Sequence, residues 1–253
     1  METHTLKRYL LYQIYHARIM FQAFTRHGGP DELHQFRVAL RQTRSLVKLF
    51  LDGTAPFPEP IKNALKATNP IRELDVFILT LSSGDYPKLA KQFMHLRKTM
   101  FQSLSSGPFV EETLFWLDQY YTLISGLEME LQTETLIQKA LSRYEECMET
   151  YRTLPSDAAA KTLHRLRIGF KDARYGFEFL DWFAIRKEEA IMRRCKRMQN
   201  RLGAVQDAFN QLEWLEKLYR EYPSDPLTQL IQKQTKALKK LKGTTLSERS
   251  PAL

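Results

Sequence analysis

Apolar residues recur every three to four positions along most of the chain, the spacing that gathers them on one side of an α-helix. Short runs of Gly, Pro and Ser cut this rhythm into stretches of about 15–35 residues, rich in Leu, Lys, Arg, Glu and Gln. The breaks fall at His27-Gly28-Gly29-Pro30, from Asp52-Gly53 to Pro60, and at Ser82-Ser83-Gly84-Asp85. Others lie at Ser105-Ser106-Gly107-Pro108, Leu154-Pro155-Ser156-Asp157 and Pro223-Ser224-Asp225-Pro226. They join helix stops to N-cap side chains and first-turn prolines. Alternating β-branched runs bounded by hairpin turns are missing, so the predicted fold class is all-α.

One segment occurs twice. His34-x-x-Arg37-x-x-x-Arg41-x-x-Arg44 returns as His164-x-x-Arg167-x-x-x-Lys171-x-x-Arg174, offset by 130 residues. Apolar positions follow the same offset: Phe36 with Leu166, Val38 with Ile168, Leu40 with Phe170, Val47 with Phe177 and Phe50 with Leu180. A weaker echo matches the neighbourhood of Arg72-Glu73 with Gln206-Asp207 and sets Lys62 opposite Lys196. Two copies are too few for a solenoid. The pattern predicts two adjoining four-helix bundles, residues 1–126 and 127–253, related by this internal repeat.

A helix turns about 100° per residue. With His34 at zero, Arg37, Arg41, Arg44 and Lys48 fall near 300°, 340°, 280° and 320°, a sector of roughly 80° running about 20 Å along the axis. Phe36, Leu40, Val47 and Phe50 lie at roughly 160–240° and form the predicted core face. No acid interrupts residues 33–51. His164, Arg167, Lys171 and Arg174 repeat the geometry, with Glu178 at the place of Lys48. A solvated helix face usually mixes signs, with Glu and Lys four apart. Like charges at i+3 and i+4 instead repel by a few tenths of a kcal/mol per pair. Two copies of such a row require an external anion or a partner acid. Three arginines in the first copy favour an oxyanion, because a guanidinium bonds phosphate bidentately, while Lys48 acts as a point charge.

Composition narrows the ligand. The 253 residues carry 38 Lys plus Arg against 29 Asp plus Glu, a net charge of +9 with histidines neutral. That excess fits nucleic acid, anionic lipid or phosphate chains. Further cations add to it: Lys62, Lys66 and Arg72 in the first half, and Arg193, Lys196, Arg197 and Arg201 in the second. Over residues 186–201 seven positive side chains meet only Glu188 and Glu189.

No run of roughly 18 uncharged apolar residues occurs, so no membrane span is expected, and the first residues lack the features of a secretory leader. Cys147 and Cys195 cannot form a CxxC pair, and a reducing, cytoplasmic location is expected. P-loop, HExxH, nucleophile-elbow and Gly-rich dinucleotide motifs are absent, so no catalytic residue, enzyme activity or cofactor is assigned. His34 and His164 have no His or Cys at i+4, and Asp75 and Asp207 have no clustered partners, so no metal site is expected. Gly169 and Gly176 read as a close helix approach. Phe115, Trp116, Tyr120, Tyr121, Trp182 and Trp214 read as core filling rather than base stacking.

The two H-x-x-R-x-x-x-[RK]-x-x-R helices precede Arg72-Glu73-Leu74-Asp75-Val76 and Leu202-Gly203-Ala204-Val205-Gln206-Asp207. In this the chain resembles the CHAD family, the conserved histidine α-helical domain, over roughly residues 5–240. The resemblance implies two four-helix bundles in pseudo-twofold relation and a basic channel between them that binds inorganic polyphosphate without catalysis. It implies His34, Arg37, Arg41, Arg44, His164, Arg167, Lys171 and Arg174 as ligand contacts, supported by Lys62, Arg72, Lys196 and Arg201. Two departures stand out: the family's usual Arg-Asp is Arg72-Glu73, and Glu178 weakens the second row. The E-x-E-x-K signature of a fused triphosphate-tunnel domain is not met by Glu128-Met129-Glu130-Leu131-Gln132. The alternative expectation is binding of RNA or another single strand. Oligomeric state is left open.

Overall fold

Each Gly/Pro break between described residues ends one helix and starts another. The structure, a computed structural model, describes residues 3–82, 86–129, 131–155, 158–221, 223 and 225–247. The predicted turn residues Ser83, Gly84, Asp85, Ser156, Asp157 and Ser224 lie outside them. Among the described residues there are ten helices and no strand. The first six are α1 (Thr3–His27), α2 (Pro30–Phe50), α3 (Glu59–Ala67), α4 (Asn69–Ser82), α5 (Pro87–Leu104) and α6 (Pro108–Gly126). Four more follow: α7 (Thr133–Arg152), α8 (Ala160–Trp182), α9 (Glu189–Glu221) and α10 (Asp225–Ser247). No helix among the described residues is long and apolar enough to cross a membrane.

Two compact units result, Met1–Leu136 and Ile137–Leu253. The division falls inside the first turns of α7, ten residues beyond the expected boundary at Gly126. In the first unit, the two-residue link Gly28-Gly29 turns α2 back along α1. Gly28 has φ +68° and donates its N–H to Phe24 O at 2.7 Å. A Cβ there would stand 3.1 Å from the Phe101 ring, so glycine serves both the backbone and the packing. Phe21 of α1 packs on Phe36 of α2 at 4.8 Å between ring centres, and α6 closes over α1 through Phe109 and the Arg18–Asp118 ion pair. Phe77 of α4 meets Phe93 of α5 at 5.1 Å.

The second unit gathers α7 to α10 around one core. Cys147, Met148 and Tyr151 come from α7, Leu166, Phe170 and Ala173 from α8, Cys195, Met198 and Leu202 from α9, with Leu238 and Leu241 of α10 against them. The second unit holds four helices and the first unit six, against the four expected in each half. One difference is α6. The other is a break at Thr68, where α3 ends and Asn69-Pro70 begins α4, whereas α9 runs 33 residues without interruption. Pro70 has no N–H for a continuing helix and so marks a new start.

Candidate functional site

Helix α2 presents two faces, as its periodicity requires. Leu33, Phe36, Ala39, Leu40, Leu46, Val47 and Phe50 are buried. His34, Arg44 and Lys48 are exposed and Arg41 is half-buried. Arg37, expected as a ligand contact, departs from this row: it is 2 % exposed and turned into the fold. Its Nη1 donates to Leu65 O at 2.6 Å and to Thr68 Oγ1 at 2.7 Å, and Nη2 donates to Asn69 Oδ1. The α3–α4 joint lies over this point of α2. Arg37 therefore closes a C-terminal carbonyl of α3 and ties it to the first residue of α4, where the helix dipole favours a cation. Burial, then Arg41, pushes its guanidinium down to about 9, with Glu73 opposing, so it stays charged at neutral pH.

Arg72 of α4 joins the row from a neighbouring helix. Burial holds the His34 imidazole below its ordinary value, and Arg72 and Arg41 push it further, against Asp31. His34, Arg41 and Arg72 thus share one positive field. Arg72 is half-buried, and its Nη1 stands 4.0 Å from Asp75 Oδ2. Asp75 is buried and receives Arg97 Nε of α5, while Arg97 Nη2 donates to Gly28 O at 2.7 Å. Burial raises the Asp75 carboxyl, and Arg97 works against that rise. This chain of bonds ties α4, α5 and the turn before α2 together, which holds Arg72 where its charge acts on His34. Lys62 and Lys66 stand apart from it in one respect: both pair with Glu59, at 2.8 and 3.5 Å, so part of their charge is already answered.

Helix α8 carries the second row. His164 is half-buried, and its Nδ1 lies 3.1 Å from Gln206 Oε1, whose amide Nε2 donates to Asn210 at 2.7 Å. Arg167 is half-buried and lies across α9 at Gly203, where a Cβ would come within 3.3 Å of its Nε. That Nε is buried without a hydrogen-bond partner among the described residues. Lys171 is 9 % exposed. Arg174 donates from Nη1 to Glu178 Oε1 at 2.7 Å, and its Cζ stands 4.8 Å over the Tyr175 ring. Burial raises the Glu178 carboxyl, with Arg174 and Lys196 opposing.

The cations of α9 divide by face. From Gly203, which meets α8, Lys196 is rotated about 20°, but Arg193, Arg197 and Arg201 are rotated roughly 80°, 120° and 160°. Lys196 alone of the four shares the α8 side, consistent with its effect on Glu178. Arg193 pairs with Glu189 at 3.0 Å on an exposed flank. The row's size is therefore smaller than the run of cations in 186–201 suggests. Aromatic residues also divide. Tyr120 is buried and donates to Ala55 O at 3.3 Å, and Trp116 and Trp214 are half-buried, but Phe115, Tyr121 and Trp182 are exposed. Gly169 does mark a close approach, since a Cβ there would be 2.5 Å from Cys147 Sγ. Both cysteines are buried and neither is in a disulfide. Among the described residues no group of three His, Cys, Asp or Glu is placed to hold a metal ion.

Four contributors escape a reading of spacing alone: Thr68 and Asn69, which hold Arg37, and Asp75 and Arg97, which hold Arg72. Asn69-Pro70 is the one local signal, a helix start between Ala67 and Ile71.

A family comparison matches residues 17–216 to the CHAD domain. A crystal structure of the CHAD domain from the plant Ricinus communis is similar at 20 % identity, with a TM-score of 0.71. The match covers 98 % of this chain and 86 % of that one. No curated protein matches. The family match spans most of the chain, and the all-helical fold agrees with it: this protein belongs to the CHAD domain family.

Proposed function

We propose that this protein binds inorganic polyphosphate along its rows of cations and does not turn the polymer over. One observation carries the reading: His34, Arg41, Arg44 and Lys48 line one side of α2, and Arg72 of α4 adds its field at the head of the row. A linear polyanion matches a linear row of cations, because successive phosphates meet successive side chains. Arg41 and Arg44 offer forked donors, Lys48 a mobile point charge and His34 a further donor once protonated. In the second unit, Arg174, with His164 at the head, repeats the motif within reach of solvent, while Lys171 is buried. Release of condensed counterions drives such binding and makes it salt dependent. A reducing compartment such as the cytoplasm suits two cysteines outside any disulfide.

The test is titration with polyphosphates of defined length. Affinity rises with chain length and falls with salt, and Arg41→Glu/Arg44→Glu weakens it sharply. Affinity indifferent to length, or unchanged in that variant, would refute the reading. Incubation with polyphosphate and Mg²⁺ leaves free phosphate at background; steady release would replace binding with hydrolysis. At equal phosphate concentration, RNA competes poorly; efficient competition would favour a nucleic-acid ligand instead.

A further inference from the structure

We infer that Glu178 is an internal substitute for phosphate in the second row, a residue that sets how strongly that row holds polyphosphate. The inference rests on the function just proposed. Glu178 lies one turn beyond Arg174 on the face of α8 that carries His164, and its Oε1 accepts a hydrogen bond from Arg174 Nη1 at 2.7 Å. The contact is the one a phosphate oxygen would make with a guanidinium. Its carboxylate also feels Lys196, the α9 cation on the same side. The Arg174 side chain is 18 % exposed and that of Glu178 is 35 % exposed, so both remain within reach of a ligand.

The first row shows what this position does when it is not acidic. There the matching residue is Lys48, exposed and positive, and residues 33–51 hold no acid. One position thus adds a cation to the first row and removes most of one from the second. A polyphosphate entering the second row must displace the Glu178 carboxylate from Arg174 before it gains that contact. Glu178 does not abolish the row. It makes Arg174 conditional on a ligand that competes well, which favours long chains, anchored elsewhere along the row, over single phosphates.

Glu178→Gln keeps the size and a hydrogen-bonding amide while deleting the charge, and Glu178→Lys copies the first row. Both are titrated with polyphosphate of one fixed length, beside the wild type and Glu213→Gln, an exposed acid-to-amide control with the same charge change. Glu178→Gln binds about fivefold more tightly, and Glu178→Lys more tightly still. The slope of log affinity against log salt steepens by roughly 0.7 in Glu178→Gln, the value for one more phosphate neutralised on a flexible strand. Glu213→Gln changes neither quantity by as much. A Glu178→Gln protein that matches the wild type or the control, while the wild type itself binds, overturns this role and leaves the function standing. Wild type and both variants all failing to bind would overturn the function and this role with it. Binding by the variants alone would support the role.

Discussion

The two row-bearing helices start from one sequence pattern and spend it differently. In the first unit Arg37 is drawn inside, where its guanidinium joins Leu65, Thr68 and Asn69 across a break between two helices. In the second, Arg167 lies over Gly203 of an unbroken helix. The weaker repeat explains the pairing: with Lys62 set on Lys196, Asn69 falls on Gly203 and Arg72 on Gln206. The head histidines differ accordingly: His34 feels the charge of Arg72, and His164 Nδ1 lies 3.1 Å from the Gln206 amide oxygen. At the far end Lys48 is matched by Glu178. The first row is the more positive at both ends, and the same motif arginine braces a helix joint in one unit and lies over a neighbouring helix in the other.

Stability should separate the arginines most. Arg37→Met strands three acceptors at the α3–α4 joint and is expected to lower unfolding free energy by about 3 kcal/mol, whereas Arg167→Met costs under about 1 kcal/mol. Urea denaturation of both variants measures this, and equal losses would mean the two arginines do the same work. Ligand binding comes next. Arg44→Glu changes the first row by two charges and is expected to weaken polyphosphate binding on the order of 30-fold, at about 1 kcal/mol per charge. Arg174→Glu, in a row already answered by Glu178, is expected to cost only a few-fold, and the reverse ranking would invert the comparison. Packing follows. Gly169 leaves room for Cys147 where the repeat has buried Ala39, so Gly169→Ala should lose about 1–2 kcal/mol through overpacking. Thermal unfolding checks it; a stabilised variant would show that α7 yields freely.

The smallest effect concerns protons. Burial, Arg72, Arg41 and Arg37 depress the His34 imidazole in the free protein, opposed by Asp31. A bound polyanion offsets those cations and raises it, so binding takes up a proton. Affinity then strengthens as pH falls through the raised, bound-state value and is lost as pH rises through it. Imidazole NMR titrations with and without polyphosphate would follow this, and His34→Gln should flatten that part of the pH profile. An unmoved His34 titration would place the ligand elsewhere.

Helix content and the core face of each row follow from local rules, because Phe36, Leu40, Phe170 and Phe177 recur at helical spacing beside Gly/Pro stops. What spacing could not supply was contact between helices. Arg37 and Arg44 occupy neighbouring angles on α2, yet only Arg37 meets the end of α3, a fact of tertiary placement. The run of cations in α9 likewise looked like one surface until the burial of Cys195, Met198 and Leu202 fixed which side faces inward. Asp75 and Arg97 lie 22 residues apart on different helices, so no local pattern joins them. The exposure of Trp182, at 69 %, was hidden for a related reason: its spacing continues the outer face of α8, and an apolar residue there reads as core only if angle is ignored.

If polyphosphate is held chiefly by the row on α2, silencing each row in turn separates the two units, with Arg41→Gln/Arg44→Gln/Lys48→Gln in one protein and His164→Gln/Lys171→Gln/Arg174→Gln in another, both titrated with polyphosphate of fixed length. The first protein is expected to lose roughly 100-fold in affinity, at about 1 kcal/mol for each cation removed, and the second clearly less. Wild-type affinity in the first protein would contradict the account.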